Sequence, residues 1–208
     1  LECNLDRATT DTNVNIADAF VISTWNYVAC TWDGTTLAVY VNGALKGSST
    51  SGSGAIATDT FNLLIGGGTA DNFDGKIDEF KVYNSALSAS QIGLDMNQSS
   101  AQVSNALGTN TANQTASTSD SATQEYCIPG DSTSCAAPVL IYEFEEGSGS
   151  TANDKSGNGI NGTFTTATYT PIGKRGKAAN FNGTSGRVAA SAATAINDLA
   201  ALTVEAWI

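Results

Sequence analysis

The stretch from Asp74 to Ile92, DGKIDEFKVYNSALSASQI, constrains the fold of this chain more than any other. Residues 77–83 alternate like a half-buried strand, which predicts that Asp78 shares a face with Phe80 and Val82. That face is expected to point inward and to bury the carboxylate of Asp78. A buried carboxylate is costly unless it is ionically paired, hydrogen-bonded or bound to a metal. This strand therefore poses the main chemical question of the sequence.

A short helix is predicted to begin at about Ala89, directly after that strand. Ser88 has the position of an N-cap, and Gln91 has the position of its capping-box partner. Leu87 and Ile92 occupy the two ends of a hydrophobic staple. These local signals fix where the strand ends and where the helix starts.

The rest of the chain is typical of many strands joined by tight turns. Its 208 residues include 21 Gly and only 3 Pro, and apolar residues come in short alternating runs. Asp33-Gly34 and Asn42-Gly43 are two successive hairpin signals around the strand that carries Leu37, Val39 and Val41. We predict an all-β sandwich, large enough for a sizeable core.

Charge and composition exclude several classes of function. The net charge of -11, with nine Lys plus Arg and no basic cluster, argues against electrostatic binding of nucleic acid or anionic membrane. The chain has no His, which excludes histidine-based triads and typical catalytic zinc sites. It has no apolar run of 18 residues, so we expect no membrane span.

Residues 99–138 are predicted to be a linker that is rich in Ser, Thr and Asn. Large apolar residues are almost absent between Ser99 and Gln124, so this stretch cannot form a core of its own. Ordered segments precede and follow it, and the sequence begins and ends within strand-like patterns. We therefore expect a piece cut from a repetitive protein, in which a neighbouring domain or subunit holds the linker.

The four cysteines suggest an oxidising compartment. Cys127 and Cys135 close the short loop CIPGDSTSC, which favours a disulfide between them. Cys3 and Cys30 lie in strand-like runs, where they either bridge neighbouring strands or are buried as small apolar side chains. None of the spacings is typical of a zinc ribbon or finger.

Two segments resemble the two halves of one known domain. Residues 139–208 contain YEFEEGSGSTANDKSGNGINGTF, GKRGKAANFNGTSGRVA and LTVEAWI, and they resemble the amino-terminal half of a laminin-G-like, concanavalin-A-like jelly-roll domain. Residues 1–98 contain WNYVACTWDGTTLAVYVNGALKG, NLLIGG and FDGKIDEFKVYNSALSASQI, and they resemble its carboxy-terminal half. The resemblance implies an antiparallel jelly-roll β-sandwich.

The order of the halves leaves two arrangements open. Either neighbouring copies complete each half in a tandem array, or the halves pair within the chain as in a circular permutant. We favour the array, because strands that end without partners must find them and repetition supplies them. The expected function is a non-catalytic structural or adhesive module of an extracellular or cell-surface filament or array, whose partners are copies of itself.

The resemblance also implies a structural calcium site. It maps Asp154, Asn158 and Asn161 of the D-x-S-G-N loop, together with Asp78, onto an oxygen-rich shell suited to a hard cation. The alternative is that Asp78 accepts backbone N–H groups and that Asp154 caps an Asx turn.

Two further functions depend on particular side chains. Glu143 and Glu145 resemble the acidic pair of glucanases with this fold, but the intervening Asp and the spaced third acid are missing, so a solvated strand face is the better interpretation. A carbohydrate-binding function would use Trp25 and Trp32 to stack on sugar rings, although a core role suits both.

Four sequons predict N-linked glycans in a secreted chain. They begin at Asn97, Asn113, Asn161 and Asn182. Asn113, in the linker, is sterically the freest.

Overall fold

A computed structural model describes residues 1–5, 11–17, 19–56, 62–68, 72–97, 137–197 and 199–208. Most of the predicted linker lies outside these residues, and so do Cys127, Cys135 and Asn113. The disulfide between the two cysteines and the glycan on that asparagine therefore stay predictions.

The described residues are mostly β-structure with one α-helix, which confirms the predicted fold class. The helix, α1, spans Ala89–Met96, and a 3₁₀ turn spans Thr194–Ile196. The strands in chain order are β1 (Glu2–Leu5), β2 (Thr12–Asn15), β3 (Tyr27–Trp32), β4 (Leu37–Val41), β5 (Ala44–Ser49), β6 (Leu63–Ile65), β7 (Asp74–Tyr83), β8 (Leu140–Tyr142), β9 (Thr151–Ala152), β10 (Gly162–Thr165), β11 (Thr168–Thr170), β12 (Ala178–Asn182), β13 (Arg187–Ala190) and β14 (Leu202–Trp207).

Two antiparallel sheets form the sandwich. The larger sheet has the order β11-β12-β7-β14-β3-β4-β5, and β8 joins it by pairing with β7. The smaller sheet has the order β6-β13-β10-β9. This layered arrangement is consistent with the jelly roll that the sequence resembles.

The main core lies between these two sheets, because its buried side chains come from both. Phe80 of β7 and Phe181 of β12 lie in one cluster with Phe164 of β10 and Val188 of β13. Burial of a side chain of this size stabilises the fold by about 1.5–3 kcal/mol. Packing between the sheets therefore stabilises the sandwich through many buried side chains.

The two halves of the sequence pair with each other inside one chain. β7, from the first half, lies between β12 and β14 of the second half, and β14 in turn lies between β7 and β3. In the smaller sheet, β13 pairs with β6. This corrects the expectation that neighbouring copies complete each half, because these strands already have partners within the chain.

The local turn and helix signals are confirmed. Asn42 and Gly43 have φ angles of 52° and 77°, as the turn of a tight hairpin requires, and they join β4 to β5. Ser88 caps α1 and forms the capping box with Gln91. In the described part of the chain, no helix is both long enough and apolar enough to cross a membrane.

A β-bulge at Glu79 interrupts the alternation of β7. Glu79 has a φ angle of 53°. On β14, Glu205 and Trp207 are two residues apart. Their partners on β7, Lys81 and Asp78, are three residues apart. One extra residue on β7 therefore reverses the direction of the side chains on one side of the bulge.

This bulge moves Asp78 to the other face of the sheet. Ile77, and not Asp78, joins Phe80 and Val82 in the main core. Asp78 is in register with Trp207, which belongs to a second apolar cluster on the opposite face. The prediction that Asp78 is buried is confirmed, since its exposure is 0%. The predicted face was wrong, because strict alternation ignores a bulge.

A disulfide links Cys3 of β1 to Cys30 of β3, with Cα atoms 6.4 Å apart. It fastens the β1-β2 hairpin over a third apolar cluster that includes Leu5, Val14 and Trp32. Of the two alternatives for this cysteine pair, the structure has the bridge.

Candidate functional site

A surface pocket of about 460 Å³ opens where the segment before β3 meets the start of β7. Its walls are residues 20–26, residues 73–76 and Ile208. The two segments come from different parts of the chain, and strand pairing brings them together. A pocket of this size lies within the range of small-ligand sites in proteins.

Asn26 fastens one wall of this pocket, residues 20–25, which we call the rim loop. Its backbone exchanges hydrogen bonds with Ile208, at 2.7 and 2.8 Å. Its Nδ2 donates to the carbonyl oxygens of Val21, at 3.1 Å, and Thr24, at 2.9 Å. Its Oδ1 accepts from Nδ2 of Asn42 at 3.3 Å. These bonds attach the rim loop to a buried side chain.

The rim loop presents large apolar side chains to solvent. Val21 is 68% exposed and Ile22 is 87% exposed. Beside them, Trp25 lines the pocket while part of its ring packs against the second apolar cluster. An exposed apolar surface next to a pocket is typical of a contact site.

The two tryptophans predicted to stack on sugars differ in their surroundings. Trp25 is half-buried at the pocket. Trp32 is 1% exposed and donates its Nε1–H to the carbonyl oxygen of Gly54 at 3.1 Å. Only Trp25 of this pair therefore offers part of its ring to a ligand, and Trp32 has the core role that the sequence left open.

Asp78 accepts hydrogen bonds from two backbone N–H groups. Glu79 donates to Oδ1 at 2.9 Å, and Arg175 donates to Oδ2 at 2.8 Å. Burial raises the pKa of Asp78 to about 7, against the lowering effect of the hydrogen bond from Arg175. Asp78 thus matches the alternative to a calcium ligand, in which the carboxylate holds a loop from the second half of the chain.

That loop, residues 172–177, joins the two halves through its charges. Arg175 lies 3.6 Å from the carboxylate of Glu79 and donates to the carbonyl oxygen of Met96 at 3.1 Å. Nζ of Lys174 lies 3.9 Å from the ring centroid of Trp207, a cation–π geometry. The loop is therefore attached to β7, α1 and β14 together.

The acidic pair considered for hydrolysis does not lie on a regular strand. β8 ends at Tyr142, and Phe144, between the two acids, has a φ angle of 57°. Glu145 accepts a hydrogen bond from the backbone of Lys177 at 2.9 Å, and Glu143 is half-buried. Glu145 therefore helps to hold the loop of residues 172–177.

The D-x-S-G-N loop is built around the carboxylate of Asp154. Its Oδ1 accepts from the backbone of Ile141, at 3.1 Å, and Ser156, at 2.8 Å. Its Oδ2 accepts from Oγ of Ser156, at 2.9 Å, and the backbone of Ile160, at 3.0 Å. Oδ1 of Asn161 accepts from the backbone of Asp154 at 2.9 Å. These bonds form an Asx turn that ties the loop to β8.

The proposed calcium ligands do not fit a cation in this arrangement. The four hydrogen bonds to Asp154 use the lone pairs that a metal would need. Nδ2 of Asn158 donates to the carbonyl oxygen of Val139, and Asp78 accepts from its neighbour Glu79 and from Arg175 of a different loop. In the described part of the chain, no three Cys, Asp or Glu side chains converge as a metal site would require.

A buried polar cluster lies between α1 and the larger sheet. Nζ of Lys81 lies 2.8 and 3.0 Å from the two carboxylate oxygens of Asp95. The hydroxyl of Tyr83 donates to Asp95 at 2.8 Å, and that of Tyr27 lies 3.5 Å from it. Glu205, which is opposite Lys81 in the strand register, is 1% exposed.

Sequence reasoning missed this cluster. The carboxyl of Glu205 lies on a strand face that pattern rules assign to solvent, and Asp95 lies near the end of a short helix. The one available signal was LTVEAWI, where Glu205 stands between apolar residues in a strand with a buried side. Its partners come from elements far away in sequence, so no spacing rule could have found them.

The described sequons differ in how their amide groups are used. Nδ2 of Asn97 donates to the carbonyl oxygen of Gly93 at 2.6 Å. Asn161 and Asn182 are exposed and use Oδ1 as an acceptor of backbone N–H groups. Glycans on these residues stay predictions.

Comparisons with known proteins agree with the sandwich. Residues 1–93 match a family model described as the Concanavalin A-like lectin/glucanases superfamily. Over 96 residues the chain is 33% identical to Pappalysin-1 of Homo sapiens, a stretch that covers 44% of this chain and 6% of that protein. The chain thus spans a small fraction of this relative's length. No solved structure matches the chain.

Proposed function

We propose that this chain, whose residues 1–93 match the Concanavalin A-like lectin/glucanases superfamily, is a non-catalytic structural or adhesive module of a repetitive extracellular assembly. The observation that carries the proposal is the rim loop, which exposes Val21 and Ile22 beside an apolar pocket. The partner is another copy of the chain. The strands of each copy pair within that copy, so the contact joins two complete sandwiches.

The pocket surface suits contact between identical copies. The protruding side chain of Ile22 and the pocket lined by Trp25 and Phe73 belong to the same surface. A two-fold axis through this surface would place Ile22 of each copy into the pocket of the other. Asp74 and Lys76 line the same pocket and carry opposite charges, which suits pairing between two copies.

The Cys3–Cys30 disulfide supports an extracellular location, since disulfides persist in oxidising compartments. The aromatic pocket wall and the net charge of -11 agree with a protein-facing surface that repels nucleic acid.

Sedimentation velocity over a concentration series tests the assembly. We expect the native chain to associate reversibly and Ile22→Asp to remain monomeric, because the exposed site tolerates the charge in the monomer but not in the contact. Ile172→Asp is the matched control, since Ile172 is 64% exposed and lies outside the pocket walls. A native chain that stays monomeric at every concentration, or equal loss of association in both variants, would contradict the proposal.

The second candidate is a carbohydrate-binding module, and Trp25 favours it. The ring of Trp25 lies at the pocket with Asp74 and Lys76, a combination of one aromatic face and polar groups that suits a sugar. A glycan array tests this candidate. Saturable binding that is lost in Trp25→Leu and kept in Ile172→Asp would favour it over self-association.

Calcium at Asp78, Asp154, Asn158 and Asn161 stays a prediction of the family resemblance, as a structural ion only. Binding would require the D-x-S-G-N loop to give up hydrogen bonds that it makes now. Thermal unfolding with calcium and with a chelator tests it, and a rise in Tm with calcium that Asp154→Asn abolishes would support the site.

A further inference from the structure

Two carboxyl groups are buried together beneath α1. Asp95 and Glu205 are each 1% exposed, and the described cation that contacts them is Lys81, which is 4% exposed. If both acids were ionised, the cluster would hold a net negative charge away from water. Such a charge is strongly disfavoured in a protein interior.

Hydrogen-bond donors point to Asp95 as the ionised member of the pair. Asp95 accepts from Lys81 at 2.8 Å and from the hydroxyl of Tyr83 at 2.8 Å. Neither oxygen of Glu205 accepts a hydrogen bond of ordinary length from a described donor. An ionised Glu205 would rely on Tyr27 and Lys81, which also contact Asp95, whereas a protonated Glu205 has a proton to donate to Asp95.

We propose that Glu205 retains a proton at neutral pH and shares it with Asp95, and that this acid pair is a pH-sensitive latch that holds α1 on the larger sheet. The two members come from different halves of the chain, Asp95 from α1 and Glu205 from β14. The protonation state of Glu205, on β14 of the second half, thus controls how firmly α1 of the first half is attached to the larger sheet.

The groups around the pair set the direction of the effect. Burial raises the pKa of Glu205 well above its usual value, and the charge of Asp95 raises it further, against Lys81 and Tyr27. Tyr83 faces Asp95 from β7. Glu79 and Arg175 lie at the border of the cluster, where they form an ion pair with each other.

The pH dependence follows from which state holds the proton. The folded chain keeps a proton on Glu205 that the unfolded chain releases above its ordinary pKa of about 4.3. The stabilisation is complete below that value and is lost as the pH rises through the raised pKa. Within this window, the folding equilibrium constant falls tenfold per pH unit, which corresponds to 1.36 kcal/mol.

α1 is the element that should respond first. It has eight residues, and a helix this short is marginal in water without tertiary contacts. Ile92 and Leu87 attach it to the sheet beside the acid pair. Ionisation of Glu205 is therefore expected to lower the protection of the α1 amides before the whole domain unfolds.

Urea unfolding and amide hydrogen exchange between pH 5 and 9 test the latch in the native chain, in Glu205→Gln and in Glu2→Gln. Gln is a neutral isostere of the protonated acid, and Glu2 is an exposed residue of β1 that serves as control. We divide the folding equilibrium constant of the native chain by that of Glu205→Gln, and we expect this ratio to fall tenfold per pH unit between the unfolded and the folded pKa of Glu205. In hydrogen exchange, we expect the protection of the α1 amides to lose its pH dependence in Glu205→Gln only. Parallel pH profiles for the native chain and Glu205→Gln would overturn the proposal.

A second measurement does not depend on the folding of the variant. The ¹³C shift of the Glu205 side-chain carboxyl in the native chain reports its protonation directly. We expect the shift of a protonated acid at pH 7, and the shift of an ionised carboxylate at that pH would refute the shared proton.

Discussion

Replacing Lys81 by Met isolates the contribution of the buried cation. Lys81 is 4% exposed, and its Nζ lies 2.8 and 3.0 Å from the two oxygens of Asp95. Met keeps most of the apolar stem that packs in the cluster, so the substitution removes mainly the charge. Asp95 would then be a buried carboxylate with a second acid, Glu205, beside it.

The expected loss of stability is large compared with the loss from breaking a surface ion pair. Removing one partner of a buried pair typically costs about 3–5 kcal/mol, whereas an exposed pair is worth about 0–1 kcal/mol. Whole domains are stable by only about 5–15 kcal/mol, so Lys81→Met should remove a substantial part of the total. The penalty comes from the uncompensated charge of Asp95. Asp95→Asn should therefore cost less in the Lys81→Met background than in the native chain.

Urea unfolding at pH 7 measures these free energies as a double-mutant cycle. Lys46→Met is the control, since Lys46 is exposed on β5. Destabilisation by Lys81→Met that is no larger than that by Lys46→Met would refute the role of the buried cation. Additive effects of Lys81→Met and Asp95→Asn would refute it as well, because a shared buried charge requires coupling.

Three further predictions concern the disulfide, a glycine and Asp78. Joint replacement of Cys3 and Cys30 by Ala should cost up to about 3.5 kcal/mol in urea unfolding, from the loop entropy for a sequence separation of 27. Gly66→Ala should destabilise by about 1–3 kcal/mol, since a Cβ there would overlap the ring of Phe181 at a φ angle of 84°; Gly68→Ala, which faces open space, should not. Asp78→Asn should reduce the fall in stability between pH 4 and 7. The pKa of Asp78 is raised from 3.8 to about 7 in the folded chain, so its protonated form stabilises the fold at low pH, and this stabilisation is lost as the pH rises through the folded pKa. An unchanged thermal-stability profile over that range would contradict the burial argument for Asp78.

Much of the candidate site was beyond prediction from the sequence. Trp25 could be named as a ligand-contacting residue, but the pocket beside it forms only where the rim loop meets Phe73 and Ile208. The sequence likewise identified Asp78 as a buried acid. It did not predict Arg175 as its hydrogen-bond partner, because that residue lies 97 positions away. Contacts between residues so far apart in the sequence produce no periodic pattern.

By itself, the sequence determined the local structure of this protein. Alternation identified most of the strands, Asn42-Gly43 specified a hairpin, and Ser88 with Gln91 specified the start of α1, because each signal acts within a few residues. Tertiary structure alone decided how these elements combine. The insertion of β7 between β12 and β14, the bulge at Glu79 and the meeting of Asp95 with Glu205 all depend on contacts between distant segments. Such contacts are selected by the burial of apolar surface and by the neutralisation of buried charge in the assembled sandwich, which no local pattern records.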